Sequence, residues 1–242
     1  MTTGLSWDGS VAGTTSYVGQ ISTMAVVEPT NTAFLAILPQ MITYAENRIY
    51  RDLDLLITQM TSPYYQLNAN AIDIPTSALV TVQNVVLYDT DNNSYPLLPI
   101  TRDFANNVYG NNSYTGTPQY FFITGGTTNQ ITDYTIFVYP YPNTTYTATI
   151  TGTFRPPSLS ATNLTTFISL YLPDLFIMAS MIYVSAYQRN FGRANDDPQM
   201  AVSYESQYKT LLQGAMMEEY RKKFQASAWS SHGTSPVATP TR

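Results

Sequence analysis

The spacing of apolar residues along the chain changes twice, and each change predicts a change of secondary structure. From Phe34 to Leu56 the apolar positions recur at steps of three and four, which is the spacing of one helix face. Between Met60 and Thr162 the period is two, with runs such as Val80–Tyr88 bounded by turn residues, which predicts short strands. A helical pattern returns at Leu172. The chain therefore resembles a helical platform with a β-rich segment inserted into it.

Two features of the first helical pattern limit its interpretation. Pro39 interrupts it, so we expect either that a first turn ends at Leu38 or that the main helix begins at Pro39. The run Glu46-Asn47-Arg48 lies off the apolar stripe. It predicts an edge that faces solvent or another subunit.

The inserted segment alternates between strand runs and polar turns. The segment Asp89–Ser94 predicts a hairpin turn, Asn106–Asn112 predicts a long polar loop, and Gly125-Gly126 predicts another turn. Several short strands separated in this way predict a small sandwich or barrel.

The second helical part predicts one buried helix and one amphipathic helix. Asp174 is placed to cap the first, and Leu175–Val184 is apolar on all sides, as in a helix that is buried from every direction. A second helix is predicted from Asn195, with Tyr208 and other apolar residues on one face.

These patterns predict an α+β fold with four parts. Residues 1–29 form an N-terminal arm that only contacts with partners would order, because they are small, polar and weakly patterned. Residues 30–59 and 163–224 form a helical bundle, the platform. Residues 60–162 form the inserted sandwich or barrel-like β-domain. Residues 225–242 form an extended tail with too little apolar surface to fold alone.

The composition favours an assembly component. Charged residues make up only 11% of the chain, against about 25% in typical soluble domains. Between Phe104 and Phe154 the only formal charge is Asp133. Such a surface lacks the charge repulsion that keeps copies apart, and the 20 tyrosines suit interfaces, although tyrosine is also a common strand residue.

The net charge of -5 argues against tight binding of DNA phosphates, but it allows DNA to slide past without sticking. The absence of cysteine excludes disulfides and thiolate metal sites and suits assembly in a reducing cytoplasm. The N-terminus lacks the pattern of a signal peptide, and the run Leu175–Tyr187 is too short for a membrane span. We therefore expect a soluble chain with no membrane partner.

Few residues in the sequence suit catalysis or metal binding. The spacing Asp89-x-Asp91-x-Asn93 opens like a calcium loop, but Ser94 replaces the required glycine and Ile100 stands where the bidentate glutamate belongs. The carboxylates Glu28, Glu46, Asp103 and Asp133 are candidates only because they are scarce. The single histidine, His232, lies in the tail without a partner for a Ser-His-Asp arrangement. We expect no enzyme activity, no metal and no cofactor.

Three sequence pieces, in this order, resemble the phage head-to-tail adaptor proteins. The first is Leu38–Leu53, which resembles their opening helix. The second is Gly116–Phe121 with the later strand Ile136–Tyr139 and its Pro-Tyr-Pro end. The third is Tyr171–Leu175, which leads into an apolar helix. Together they cover most of the stretch from residue 30 to residue 224.

The resemblance implies a structural subunit of the virion neck. In that family a helical bundle with an inserted β-domain forms a dodecameric ring beneath the portal protein, the C-terminal segment docks on the portal, and the lower face receives the tail or nozzle protein. It implies a channel that DNA passes by non-specific proximity, and assembly in the host cytoplasm. The tail matches the docking segment in position and composition, so we expect Phe224, Trp229, Pro236 and Arg242 to contact the portal.

Two other functions stay open at this point. A tail-associated β-module that binds a receptor or carbohydrate would use exposed tyrosine or tryptophan clusters, but Trp7 and Trp229 both lie in the terminal segments. A cell-wall hydrolase attached to the tail would need a catalytic set that the sequence does not offer.

Overall fold

The structure is a computed structural model, and it describes residues 4–62, 64–67, 69–75, 79–110, 114–127, 130–189 and 200–226. These residues form a mixed α+β fold with six α-helices and several open sheets, so the prediction of an α+β chain is confirmed. Internal contacts divide the chain into two compact units. The helical unit comprises Met1–Leu56 and Ser158–Arg242, and the β-unit comprises Ile57–Pro157.

The helices, in chain order, are α1 (Tyr17–Met24), α2 (Thr32–Asp52), α3 (Arg102–Tyr109), α4 (Phe167–Tyr171), α5 (Pro173–Arg189) and α6 (Met200–Ala226). A short 3-10 helix spans Leu56–Thr58. The strands are β1 (Leu5–Ser6), β2 (Thr15–Ser16), β3 (Gln59–Thr61), β4 (Tyr65–Gln66), β5 (Ala71–Pro75), β6 (Leu79–Tyr88), β7 (Ser94–Pro96), β8 (Leu98–Pro99), β9 (Thr115–Gly116), β10 (Tyr120–Thr127), β11 (Gln130–Tyr139), β12 (Tyr141–Pro142) and β13 (Thr147–Phe154).

The N-terminal segment belongs to the core of the helical unit. Leu5, Tyr17 and Ile21 are buried, and the Tyr17 ring stacks on Phe176 of α5 at a centroid distance of 4.8 Å. The Tyr17 hydroxyl donates a hydrogen bond to Ser180 Oγ at 2.6 Å. The expectation that residues 1–29 form an arm ordered only by partners is wrong for residues 4–27. Its apolar residues are enough to order it, because most of them pack in one core with helices from distant parts of the sequence.

Helix α2 continues through Pro39, contrary to the expected break. Asn31 Oδ1 caps the helix by accepting hydrogen bonds from the N–H groups of Ala33 and Phe34 at 3.0 and 3.1 Å. Pro39 lies on the exposed side of the helix, so its ring meets solvent, and helices bend around such positions. The Thr43 hydroxyl donates to the Pro39 carbonyl at 2.9 Å.

Helices α2, α5 and α6 pack into one hydrophobic core together with α1 and α4. Helix α5 is buried over most of its apolar run, as expected. It begins at Pro173, so Asp174 lies in its first turn and is not the cap. The predicted helix start at Asn195 lies outside the described residues. Helix α6 extends to Ala226, two residues into the predicted tail.

The β-unit contains two larger sheets that share one hydrophobic core. One has the strand order β5-β11-β10-β8, and the other has the order β3-β13-β6-β7, with β4 also paired to β13. Buried residues of both sheets, including Ile72, Val85, Ile136 and Ile150, form a single cluster. Neither sheet closes on itself within the described residues.

Two local predictions in the β-unit are wrong. The first half of the predicted polar loop belongs to α3, which Thr101 caps by accepting a hydrogen bond from the Phe104 N–H at 3.2 Å. Gly125 is paired with Tyr134 inside the β10–β11 ladder, so it does not form the predicted turn. Lacking a side chain, this glycine fits beside a register shift that falls between Gly125 and Thr127.

Candidate interaction surfaces

The carboxylates named as catalytic candidates are divided between the two units. Glu28 and Asp103 are exposed, Glu46 is buried in the helical unit, and Asp133 belongs to β11 of the β-unit. Among the described residues no group of three or more His, Cys, Asp or Glu side chains is placed to hold a metal ion. His232 lies outside those residues.

The Asp89 segment is a hairpin turn between β6 and β7, as predicted. Asp89 Oδ1 accepts hydrogen bonds from the N–H groups of Asp91 and Asn93, both at 2.9 Å. Asp89 Oδ2 accepts from the Asn93 amide at 2.8 Å and from the Tyr95 hydroxyl at 3.0 Å. The Asn93 side chain and these other donors lower the pKa of Asp89. Both carboxylate oxygens of Asp89 thus accept hydrogen bonds within the hairpin.

Glu46 is a buried carboxylate, although its position off the apolar stripe predicted an exposed edge. It is 1% exposed, and its Oε1 accepts a hydrogen bond from the Leu159 N–H at 3.1 Å. Burial raises the pKa of Glu46 to about 7, against the opposing effect of a hydrogen bond from Ser158. Its Oε2 has no hydrogen-bond partner, nor has the buried Tyr50 hydroxyl one turn further along α2. The side chain thus ties α2 to the segment where the chain returns from the β-unit.

Charged side chains also join α2 to α6. Arg48 Nη2 donates to Glu205 Oε1 at 2.7 Å, and its guanidinium lies 4.4 Å from the centre of the Tyr208 ring. The Tyr208 hydroxyl donates to Asp52 Oδ2 at 2.8 Å. The hydrogen bond from Arg48 lowers the pKa of Glu205. This network is partly buried and fixes two helices that are far apart in the sequence.

The C-terminal turns of α6 expose a stripe of large apolar side chains. Met217, Tyr220 and Phe224 are 56%, 60% and 61% exposed, and their spacing of three and four residues places them on one face. We call these three residues the α6 stripe. The buried face of the same helix includes Tyr208 and Ala215, as the sequence predicted. Helix α6 is therefore apolar on two faces, which is typical of a helix that contacts a core and a partner.

A second face of the C-terminal turns of α6 binds the segment where the chain leaves the helical unit. Glu219 Oε2 accepts a hydrogen bond from the Leu56 N–H at 3.0 Å, and Glu219 Oε1 accepts from Lys222 Nζ at 2.7 Å. Lys223 forms an ion pair with Asp54. A cavity of about 190 Å³ lies between α6 and this segment, and Tyr220 of the stripe lines it.

The β-unit carries an aromatic patch around α3. The patch consists of Leu98, Phe104, Val108, Tyr109, Tyr114 and Tyr120. Ring centroids lie 6.2 Å apart for Phe104 and Tyr120, and 5.8 Å apart for Tyr109 and Tyr114. Leu98 of β8 is the register partner of Tyr120, which makes the patch continuous across the sheet edge. Phe104, Val108, Tyr114 and Leu98 are exposed.

Of the four predicted docking residues, the structure describes one. Phe224 lies at the end of α6 and belongs to the α6 stripe. Trp229, Pro236 and Arg242 lie outside the described residues. None of the helices in the described part of the chain has both the length and the apolar character that a membrane crossing requires.

The sequence pattern did not single out Met217, Tyr220 or Glu219, and it did not predict that Glu46 is buried. A signal for the first two was present, because with Phe224 they repeat at three and four residues on a face that the buried stripe does not use. The two glutamates gave no local signal. Their partners, the Leu159 and Leu56 N–H groups, are 113 and 163 residues away.

The chain matches the model of a known protein family. The sequence model described as SU10 adaptor protein matches residues 18–239, which is more than half of the chain. No curated protein matches it.

Proposed function

The chain belongs to the SU10 adaptor protein family, which confirms the resemblance to phage adaptor proteins, and we propose on this basis that it joins the portal to the tail. Its family makes it a structural phage adaptor and a component of the virion. In the proposed function, copies of the chain form a ring, with twelve copies as the adaptor resemblance implies, below the portal protein in the neck. The ring continues the channel through which the genome leaves.

The observation that supports portal docking most strongly is the α6 stripe. Met217, Tyr220 and Phe224 form an exposed apolar face on the last turns of the helix, directly before the C-terminal segment 227–242. Large apolar and aromatic side chains that become buried in a partner supply most of the binding free energy in protein interfaces. We propose that the stripe and the segment after it form one docking surface, with Trp229, Pro236 and Arg242 as further contacts.

The aromatic patch of the β-unit supports a second contact, with the neighbouring subunit or with the tail or nozzle protein. The patch joins aromatic rings and aliphatic side chains, and only Arg102 and Asp103 bring formal charge to α3. Interface cores are enriched in such rings and depleted of charge. A net charge of -5 supports passage of DNA by proximity, without tight phosphate contacts.

The proposed role needs no catalytic step. A subunit that docks between two partners works through buried area and position, and it requires neither metal nor cofactor. Assembly in the host cytoplasm fits a chain without cysteine.

The test is co-sedimentation of the purified chain with DNA-filled heads that carry the portal. A chain ending at Ala226 should keep its helical circular dichroism and its melting temperature but lose attachment to the heads. Met217→Ser with Phe224→Ser should weaken attachment strongly, and Trp229→Ala partly. The matched control is Val202→Ser, because Val202 is an equally exposed apolar residue, at 68%, near the other end of α6. Wild-type attachment by the truncated chain would contradict the docking surface.

A second candidate function has one observation in its favour. The exposed ring of Tyr114, packed against Tyr109 in the aromatic patch, is the kind of platform on which carbohydrate rings stack, and a receptor- or carbohydrate-binding β-module would use it. Binding of host surface polysaccharide that Tyr114→Ala abolishes would support this alternative. We favour the adaptor function because the family match covers both units.

A further inference from the structure

The chain crosses between its two units twice, and a buried glutamate lies at each crossing. At the outgoing crossing, between Leu56 and Ile57, Glu219 of α6 accepts the Leu56 N–H at 3.0 Å. At the returning crossing, between Pro157 and Ser158, Glu46 of α2 accepts the Leu159 N–H at 3.1 Å. Both glutamates are almost fully buried. The two crossings therefore depend on different helices.

Of these two helices, α6 is the one that carries both a crossing contact and the proposed docking surface. In a helix of 3.6 residues per turn, the stripe residues Met217, Tyr220 and Phe224 face about 100° away from the face that carries Glu219 and Lys223. Glu219 and Lys223 hold the outgoing segment through Leu56 and Asp54. Both faces belong to the same two or three turns.

We propose that these turns of α6 couple portal docking to the outgoing crossing, so that docking tightens the hold of Glu219 on the Leu56 N–H. This inference rests on the proposed docking function of the α6 stripe and names a regulation of that site. It also assigns Glu219 as a positioning residue, which acts on the crossing without touching the partner.

The physical reason is that both contacts need the same helical turns. The ends of helices open more readily than their middles, and an open turn carries Glu219 away from the Leu56 N–H. A partner that binds the stripe binds only the helical form and stabilises it. Tyr220 adds a direct link, because it belongs to the stripe and also lines the cavity of about 190 Å³ against Leu53 and Asp54.

Linkage makes the coupling reciprocal. If docking raises the equilibrium constant for forming the Glu219–Leu56 hydrogen bond by some factor, then loss of that hydrogen bond lowers the affinity for the portal by the same factor. Couplings of this kind typically change affinity by about fivefold or more. The returning crossing supplies an internal control, because Glu46 lies on α2 and its bond to Leu159 involves no residue of α6.

The first experiment measures amide hydrogen exchange of the full-length wild-type chain with and without the portal protein of the same phage. We expect the Leu56 amide to exchange about fivefold more slowly, or slower still, in the complex. The Leu159 amide should be unchanged. Equal exchange at Leu56 in the free and bound chain would overturn the coupling, even where the portal binds as proposed.

The second experiment compares portal affinities of two variants. Glu219→Ala should weaken binding by about fivefold or more, whereas Glu218→Ala should not. Glu218 is the matched control because it is exposed, precedes Glu219 directly and also pairs with Lys222, at 2.7 Å, but it has no bond to the crossing. Glu219→Gln keeps an acceptor oxygen and should restore most of the affinity.

The outcomes separate this inference from the proposed function. Circular dichroism of Glu219→Ala checks that α6 is still formed, and the exchange experiment needs no variant. Equal affinities of a folded Glu219→Ala chain and the wild type would overturn the coupling and leave portal docking in place. A wild-type chain that does not bind the portal at all would overturn both.

Discussion

In the helical unit, charged side chains are paired across distant parts of the chain, whereas in the β-unit aromatic rings pack on one another. Arg48 pairs with Glu205, and Lys223 pairs with Asp54. In the β-unit no ion pair joins two of the described residues. There Tyr109 instead contacts the rings of Tyr114, Tyr120 and Tyr139 at centroid distances of 5.7 to 6.4 Å.

The difference shows two ways in which a chain with few charges can use them. In the helical unit the charges hold the chain at fixed points, such as the crossing at Leu56, where a directional bond is needed. In the β-unit the rings provide contact area without charge, which leaves a surface that does not repel a second copy or an apolar partner. Variants that disturb one unit and leave the other intact test this division.

The largest effects should follow from cavities in the two cores. Phe176→Ala removes the ring that stacks on Tyr17 in the helical unit and should cost about 3–5 kcal/mol. Ile136→Ala in the central strand β11 should cost about 2–5 kcal/mol in the β-unit. Amide hydrogen exchange should show each loss mainly in the amides of its own unit. If either variant speeds amide exchange equally in both units, then the two units unfold as one and the contrast between them is contradicted.

The next largest effect concerns the buried carboxylate of the helical unit. Burial raises the pKa of Glu46 from 4.5 to about 7, so the folded chain holds this proton more tightly than the unfolded chain. The protonated Glu46 carboxyl therefore contributes fully to stability below its pKa in the unfolded chain. This contribution is lost as the pH rises through its pKa in the folded chain. Above about pH 7, Glu46→Gln should be more stable than the wild type by roughly 3 kcal/mol. At about pH 4.5 the two should be equal.

Chemical denaturation at both pH values checks this expectation. The matched control is Glu219→Gln, which breaks the ion pair with Lys222 and should not stabilise the chain at either pH. A Glu46→Gln variant whose stability advantage is the same at both pH values would show that Glu46 does not titrate in this range.

A smaller effect is expected from the ion pair between α2 and α6. A double-mutant cycle of Arg48→Met and Glu205→Gln should give a coupling energy of about 1 kcal/mol, since the pair is only partly buried. Sodium chloride at about 1 M should reduce this coupling, because salt screens charges that solvent reaches. Exchange of the Ile136 amide in the β-unit should not respond to Arg48→Met. A coupling near zero at low salt would contradict the role given to charge in the helical unit.

The smallest effect concerns an exposed valine in each unit. Val26 has a φ of 54° just after α1, a conformation that is strained for a β-branched residue, and it is 71% exposed. Val26→Gly should stabilise the chain by about 0.5–1 kcal/mol, because relief of strain exceeds the added backbone entropy. Val80→Gly in strand β6 should instead destabilise it by about 1 kcal/mol. Melting temperatures of both variants measure the two signs.

Periodicity predicted the elements whose apolar residues are regularly spaced. Helix α5 follows from a run that is apolar on all sides. Helix α2 and the strands β6 and β11 follow from steps of three and four or of two. The spacing works there because one face of each element is buried against a large partner.

The features that the sequence did not predict depend on contacts between distant residues. The apolar residues of the N-terminal segment are weakly patterned, and the burial of Tyr17 becomes visible only when Phe176 is placed against it. Glu46 counts as polar in any pattern, although its partner Leu159 makes its burial possible. Helix α3 was different, because Thr101 and Asp103 are recognisable start signals within a stretch whose asparagines suggested a loop.

The most direct test of portal docking is native mass spectrometry of the chain mixed with the portal protein of the same phage. We expect a complex in which a portal ring carries several copies of the chain, with twelve as the number that the adaptor resemblance implies. We also expect that a chain ending at Ala226 with Met217→Ser and Phe224→Ser adds no mass to the portal ring. A portal ring of unchanged mass with the wild-type chain in excess would contradict the proposed function.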